Sequence, residues 1–153
     1  MITASVESFE RAIPEIRAII GAHWQELALH KEKMPLDPQW DEYVKREREG
    51  RLFLVTVRKD GEIIAYYIAQ VAPGFHYRST LTATMDIAYV KEEVRHKGYV
   101  VPLFRRVEQE LKRRGVKLWY SGFKAHNPLG MDKVLNALGF APADVYCCKW
   151  IGP

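Results

Sequence analysis

Two runs rich in β-forming residues, RLFLVTVRK and EIIAYYIAQV, are joined by Asp60-Gly61. An Asp-Gly pair supplies the backbone of a tight two-residue turn, so this stretch reads as an antiparallel hairpin. The rest of the chain is ordered around it. Residues 13–30 read as a helix, with Pro14 in its first turn and Ile16, Ile20 and Leu27 on one side. KMPLDP interrupts the chain, and Asp37-Pro38 opens a second, short helix that stops at Gly50. After APGFHYRS a strand is expected from about Thr80 to Val90, then a charged turn and a helix to Arg114. Val100, Phe104, Val107 and Leu111 form that helix's apolar stripe, and Gly115 ends it. A strand around VKLWYSGF, a helix from about Pro128 to Leu138 and a last strand, DVYCCKWI, complete the chain. The order α-α-β-β-β-α-β-α-β describes an α/β domain with antiparallel strands first and a crossover helix later.

At 153 residues the chain is expected to form one domain, residues 1–153, large enough to close a core. No apolar run reaches the length of a membrane span, and the opening MITASVESFERAIPEI lacks the regions of a signal peptide. A cytoplasmic protein with no membrane partner is expected. Cys147 and Cys148 are adjacent and would point to opposite faces of a strand, so they are poorly placed to pair. No CxxC-type metal spacing exists. The formal charge of +4 favours anionic ligands in general, but much of it lies in RRVEQELKRRG, where acids and bases mix as on a solvated helix face. A nucleic-acid partner has only that charge balance in its favour.

The most suggestive stretch for function is DIAYVKEEVRHKGYVV. It places Arg95, His96, Lys97 and Gly98 at the mouth of a helix. Helix starts expose unpaired N–H groups and the positive end of the macrodipole, and cations just ahead of them strengthen the pull on an anion. The alternative is an ordinary exposed strand-to-helix turn.

Element order and turn together resemble the GNAT superfamily of N-acetyltransferases over nearly the whole chain. The family's acyl-CoA motif, Arg/Gln-x-x-Gly-x-Gly/Ala, is matched by Arg95, Gly98 and Val100. KVLNALGF resembles its final helix ending in Gly-Phe, here Gly139-Phe140. HWQELALHK, FHYRSTLTATMDIAYV and VYCCKW are similar to a small branch found in bacteriophages and bacteria. The resemblance implies a mixed, largely antiparallel sheet flanked by about four helices. It also implies acetyl-CoA as cosubstrate, direct transfer to a primary amine and, since dimers are frequent in the family, a homodimer.

By the same resemblance, Ala88, Tyr89 and Val90 would bond the pantetheine arm. Arg95, His96, Lys97, Gly98, Tyr99 and Val100 would receive the pyrophosphate, with Asn127 as a further cofactor contact. Two departures stand out. Val100 replaces a Gly or Ala, and PLGMDKVLNALG lacks the tyrosine that many relatives use to protonate the thiolate. Tyr146, Tyr120 or water would substitute. These departures leave open a GNAT-like binding or regulatory protein with weak or no turnover, and the basic balance leaves open an acyltransferase-like enzyme that modifies nucleic acid.

For the base, Asp86 lies in the apolar segment TMDIAYV, where ionisation is costly unless the group is paired. A structural carboxylate is the competing reading. His76, in the loop before this strand, is a second candidate because histidine titrates near neutrality; a plain loop histidine competes with it. On a helical wheel His23, Glu26 and His30 share one arc near the stripe of Ile16 and Leu27. In GNAT proteins this region often forms the acceptor side, so these three are expected to bind substrate. Two His and a Glu could ligate zinc, but without HExxH spacing no metal is expected.

Overall fold

A computed structural model describes residues 1–153. The chain forms two compact units, Met1–Gly122 and Phe123–Pro153. In the first, β1 (Ile2–Glu7), α1 (Phe9–Leu27), α2 (Trp40–Arg48), β2 (Leu52–Lys59), β3 (Glu62–Gly74), β4 (Tyr77–Val90), α3 (Val100–Arg113) and β5 (Leu118–Tyr120) follow in order. The second contains α4 (Met131–Ala137). The five strands form one sheet in the order β1-β2-β3-β4-β5, antiparallel except for the β4–β5 pair. This is the mixed α/β sheet with four helices that the sequence suggested.

The hairpin closes at Asp60-Gly61, whose φ angles of 50° and 91° are the positive values such a turn needs. Alternation along β2 and β3 then covers both faces of the sheet. Leu52, Leu54, Ile63, Tyr66 and Ile68 pack with Phe9, Ala12 and Ile16 of α1, and Trp40, Tyr43 and Val44 of α2 close that cluster. On the other face α3 lies against β1, β2 and β3 and buries Leu103, Phe104, Val107 and Leu111. Glu110 is buried there too, held by Arg113 and Arg114.

The structure corrects several boundaries. β1 precedes the first helix where the sequence pattern gives no strand. Ser8, which accepts from the Arg11 amide at 3.4 Å, starts α1 at Phe9, four residues earlier than expected. Pro14 therefore falls in the second turn rather than the first. Glu47 of α2 accepts from the Phe9 and Glu10 amides, placing an anion at the positive end of α1. The helix stops at Leu27 and not at residue 30. Ala28 turns extended, and the Lys31 ammonium bonds the Gln25 carbonyl in place of another helical turn. The final strand over DVYCCKWI does not form, and residues 141–153 are irregular. A strand exists only through its ladder, and none of β1–β5 pairs with this segment.

Candidate active site

Between Ile68/Ala69 and their partners Ile87/Met85 the β3–β4 register shifts, so β4 carries one extra residue, Asp86. A bulge of this kind interrupts strict alternation. Met85 accepts at its sulfur from Ser121 at 3.3 Å, and Ser121 in turn accepts from Tyr67, which packs edge-on against Phe104 of α3. The next two residues both face the opposite side. Asp86 meets Tyr43 of α2, and Ile87 packs on the α1 cluster. The bulge thus aims a carboxylate into the α1–α2 side of the sheet without losing the apolar contact beside it.

Both Asp86 oxygens are engaged. Tyr43 Oη donates to Oδ2 at 2.6 Å and Gln70 Nε2 donates to Oδ1 at 3.0 Å. Arg46 holds Gln70 in turn and also donates to Glu42. Burial pushes the Tyr43 phenol well above its ordinary range, and the Asp86 bond adds to the effect. Tyr43 therefore stays a donor at neutral pH. Its ring stacks on Phe9 at 4.9 Å, which fixes its position.

β4 pairs with β5 only from Thr82 to Thr84, opposite Leu118 to Tyr120. Beyond Thr84 the two strands part, leaving the Met85–Val90 edge of β4 without a strand partner on that side. Trp119 Nε1 donates to Tyr67 Oη at 2.8 Å at the point of parting, so the Tyr67 and Ser121 hydroxyls bridge it. The Tyr67 phenol is pushed up to about 12 by burial. Trp119 faces the α3 side; Tyr120, next along the strand, faces the side of Asp86 and is 38% exposed.

After Val90 a single 3-10 turn, Glu92–Val94, leads to Arg95. His96 and Gly98 adopt φ of 55° and 79°, and α3 begins at Val100 with no acid in its first turn. Val101 N bonds Gly98 O at 3.1 Å, while the amides just before it precede the helical ladder. Pro102 in this first turn has no N–H to strand. His96 and Lys97 are exposed, whereas Arg95 folds back. It donates from Nε to Val90 O at 2.9 Å and pairs with Glu26 through both terminal nitrogens, one of them at 2.6 Å. Its guanidinium lies 5.4 Å from the centre of the Tyr89 ring. On Tyr89 His23 stacks at 4.5 Å, and His23 Nδ1 is 3.0 Å from Tyr66 Oη. Burial keeps both tyrosines protonated, with the Glu26 charge assisting at Tyr89. An open groove of about 460 Å³ beside this network is lined by Ala22, Gln25, Glu26, Tyr89, Glu92 and Arg95.

The structure therefore brings His23, Glu26, Tyr89 and Arg95 together and leaves His30 and His76 apart from them. His30 lies outside α1 in the following turn, exposed and at φ 55°, because the helix ends three residues earlier. His76 sits at the exposed tip of the β3–β4 hairpin, about 30 Å along the strand from Asp86. In the second unit, Asn127 caps α4. Its Oδ1 accepts from Met131 N at 2.8 Å and its Nδ2 donates to Asp132 at 2.7 Å. Tyr146 is 91% exposed. No cluster of His, Cys, Asp or Glu has the arrangement of a metal site. Sequence reading missed Tyr43, Tyr66, Tyr67, Gln70 and Ser121, whose roles arise only from strand pairing and helix packing.

The acetyltransferase (GNAT) family model matches residues 14–139. The chain belongs to the GNAT family. An aminoglycoside acetyltransferase from an uncultured soil metagenomic sample, solved in complex with sisomicin, superposes with a TM-score of 0.77 at 11% identity, covering 99% of this chain and 97% of that one. The ribosomal-protein-alanine N-acetyltransferase from Brucella melitensis biovar Abortus 2308 gives 0.73 at 15% identity, with 98% and 99% covered. AAC(6')-Iy in complex with the bisubstrate analogue CoA-S-monomethyl-acetylneamine gives 0.65 at 17%, with 100% and 99% covered. No curated protein matches the sequence. At these identities the structural likeness establishes the fold, and the family model establishes an acetyltransferase lineage.

Proposed function

We propose that this GNAT protein transfers the acetyl group of acetyl-CoA directly to a primary amine. It would do so as a cytoplasmic enzyme of the phage and bacterial branch its sequence resembles. The observation that carries the reading is the parting of β4 from β5. It leaves the backbone edge from Met85 to Val90 available to an extended ligand and runs straight into the turn at the mouth of α3. A strand edge suits an amide-bearing arm such as pantetheine, and amides at a helix start suit a pyrophosphate.

In this mechanism Ala88, Tyr89 and Val90 bond the pantetheine arm and the acetyl carbonyl, while the amides of Gly98, Tyr99 and Val100 receive the pyrophosphate. Asp86 takes the proton of the acceptor ammonium, freeing the nitrogen lone pair to attack the thioester carbon. Tyr43 and Gln70 orient its carboxylate. The carbon–sulfur bond breaks as the carbon–nitrogen bond is completed; Tyr120, on the Asp86 side of the parted strands, gives its proton to the leaving thiolate and takes up the second proton that the nitrogen sheds on becoming an amide. His23 lies beside Tyr89 on the acceptor side.

Thermal unfolding with and without CoA tests the donor site. At a hundredfold excess over Kd a one-site ligand stabilises by about 2.7 kcal/mol, which for this chain length raises Tm by roughly 5–10 °C. No shift at millimolar CoA refutes the reading. Release of free thiol from acetyl-CoA with a panel of amines then separates an enzyme from a binding protein, the alternative that Val100 favours by crowding the motif's last small position.

A further inference from the structure

The motif arginine makes the polar side-chain attachments of the turn to the rest of the fold. Among residues 96–100 no side chain makes a hydrogen bond or ion pair, and His96 and Lys97 are exposed. The turn nevertheless holds two left-handed residues, His96 and Gly98, within three positions. Such a backbone persists only where its surroundings fix it. Arg95 supplies three attachments: Nε to the Val90 carbonyl at 2.9 Å, both terminal nitrogens to Glu26, and its flat face to the Tyr89 ring at 5.4 Å. A planar guanidinium gripping a carboxylate with two nitrogens fixes orientation as well as distance. Arg95 and Glu26 are 14% and 26% exposed, so solvent screens the pair only in part.

Glu26 stands on α1, one turn beyond His23. His23 and Glu26 therefore grip the same short stretch of chain, His23 on the face of Tyr89 and Glu26 on Arg95. The sequence alone assigns Glu26 to the acceptor, but in the fold both its oxygens are occupied by the arginine of the donor motif. We propose that Glu26 is a positioning residue of the donor site, holding the turn from Arg95 to Val100 in its anion-receiving conformation through Arg95. This inference rests on the reading of that turn as the CoA site. A consequence is that α1 couples the two halves of the active site.

The test compares the parent with Glu26→Gln, Arg95→Gln and the double variant, using amide hydrogen exchange across the sheet and calorimetric titration with CoA. Glu26→Asp, which keeps the charge but withdraws it by one methylene, serves as a milder second variant. Loss of a charge-assisted, two-nitrogen contact is expected to speed exchange at the hydrogen-bonded amides that hold the turn, those of Lys97, Val101 and Leu103, by about tenfold or more, with β2 and β3 unaffected. The CoA Kd should rise by a similar factor, Glu26→Asp should fall between, and the double variant should bind no more weakly than Arg95→Gln alone. Parent-like exchange at Lys97, Val101 and Leu103 in Glu26→Gln overturns the inference, as does acceleration spread evenly over the sheet or strictly additive losses. If the parent itself does not bind CoA, the donor reading fails while the exchange arm still decides whether Glu26 holds the turn.

Discussion

Replacing Asp86 by Asn separates its chemical role from its structural one, because the two are expected to differ in size. The carboxylate accepts from Tyr43 at 2.6 Å and from Gln70 at 3.0 Å. The amide of Asp86→Asn keeps one acceptor oxygen and presents an NH2 group at the other position. The Tyr43 hydroxyl can rotate to accept from that group, its own O–H then turning to water, as the half-burial of Tyr43 allows. Two charge-assisted bonds become neutral ones, a loss of about 1–2 kcal/mol in total. For a chain of this size that lowers Tm by roughly 2–8 °C and leaves the protein essentially fully folded at 25 °C. Removing a general base costs about 10²–10⁴ in rate, equivalent to roughly 3–5 kcal/mol of barrier. The assay pairs a thermal melt and a CoA titration with thiol release from acetyl-CoA, using whichever amine the panel identifies. The expected outcome is a small fall in Tm, an unchanged CoA Kd and a kcat lower by at least a hundredfold. A rate within threefold of the parent would show that Asp86 is not the base. A Tm loss well beyond 10 °C would show that its bonds to α2 and β3 are its main purpose.

Two further outcomes follow from the same geometry. Bonds from Arg113 and Arg114 pull the Glu110 carboxyl down to about 2 against the opposing effect of burial. A folded-state pKa below the unfolded one stabilises above the unfolded value of about 4.5 and loses that stabilisation as pH falls towards 2. The displacement is worth at most about 3 kcal/mol, and solvent screening at Arg113 (69% exposed) reduces it to roughly 1–2. Urea unfolding should therefore show Glu110→Gln weaker than the parent at pH 7, with the gap closing between pH 4.5 and 2; a gap independent of pH would contradict this. At Gly98, φ is 79° and an added Cβ would meet no atom within 4 Å. Gly98→Ala should lose only backbone strain, about 1–2 kcal/mol by denaturant unfolding, together with part of the CoA-induced rise in Tm. A loss above 4 kcal/mol would mean that the turn is packed from outside.

The parts legible in the sequence are those decided by local chemistry. Asp60-Gly61 specifies its turn whatever surrounds it, and the stripe through Phe104, Val107 and Leu111 announces the buried face of α3. β1 left no such mark. It is an edge strand whose residues are exposed or half-buried, so burial never imposed an apolar alternation on ITASVE. DVYCCKWI fails in the opposite direction. Its composition favours a strand, but strand formation depends on a partner that composition does not reveal. The site divides in the same way. The Arg-x-x-Gly spacing marks the turn at the mouth of α3, but the partner of Arg95 lies 69 residues away and that of Asp86, Tyr43, lies 43 away. Pairings at that separation are products of packing.

The bulge at Asp86 and the early end of the β4–β5 ladder belong to one arrangement. An uninterrupted β4 would alternate strictly, and Asp86 and Ile87 could not face the same side. One of two needs would then go unmet, either the carboxylate near α2 or the apolar contact with the α1 cluster. The extra residue satisfies both. It lies just beyond Thr84, where β5 leaves the sheet, so the same few residues aim the acid and release the backbone edge. Each feature alone is common in sheets. Their coincidence, followed within ten residues by a turn pinned to α1 through Arg95, puts an unpaired strand edge, a carboxylate and a turn of unpaired amides next to one another along the chain.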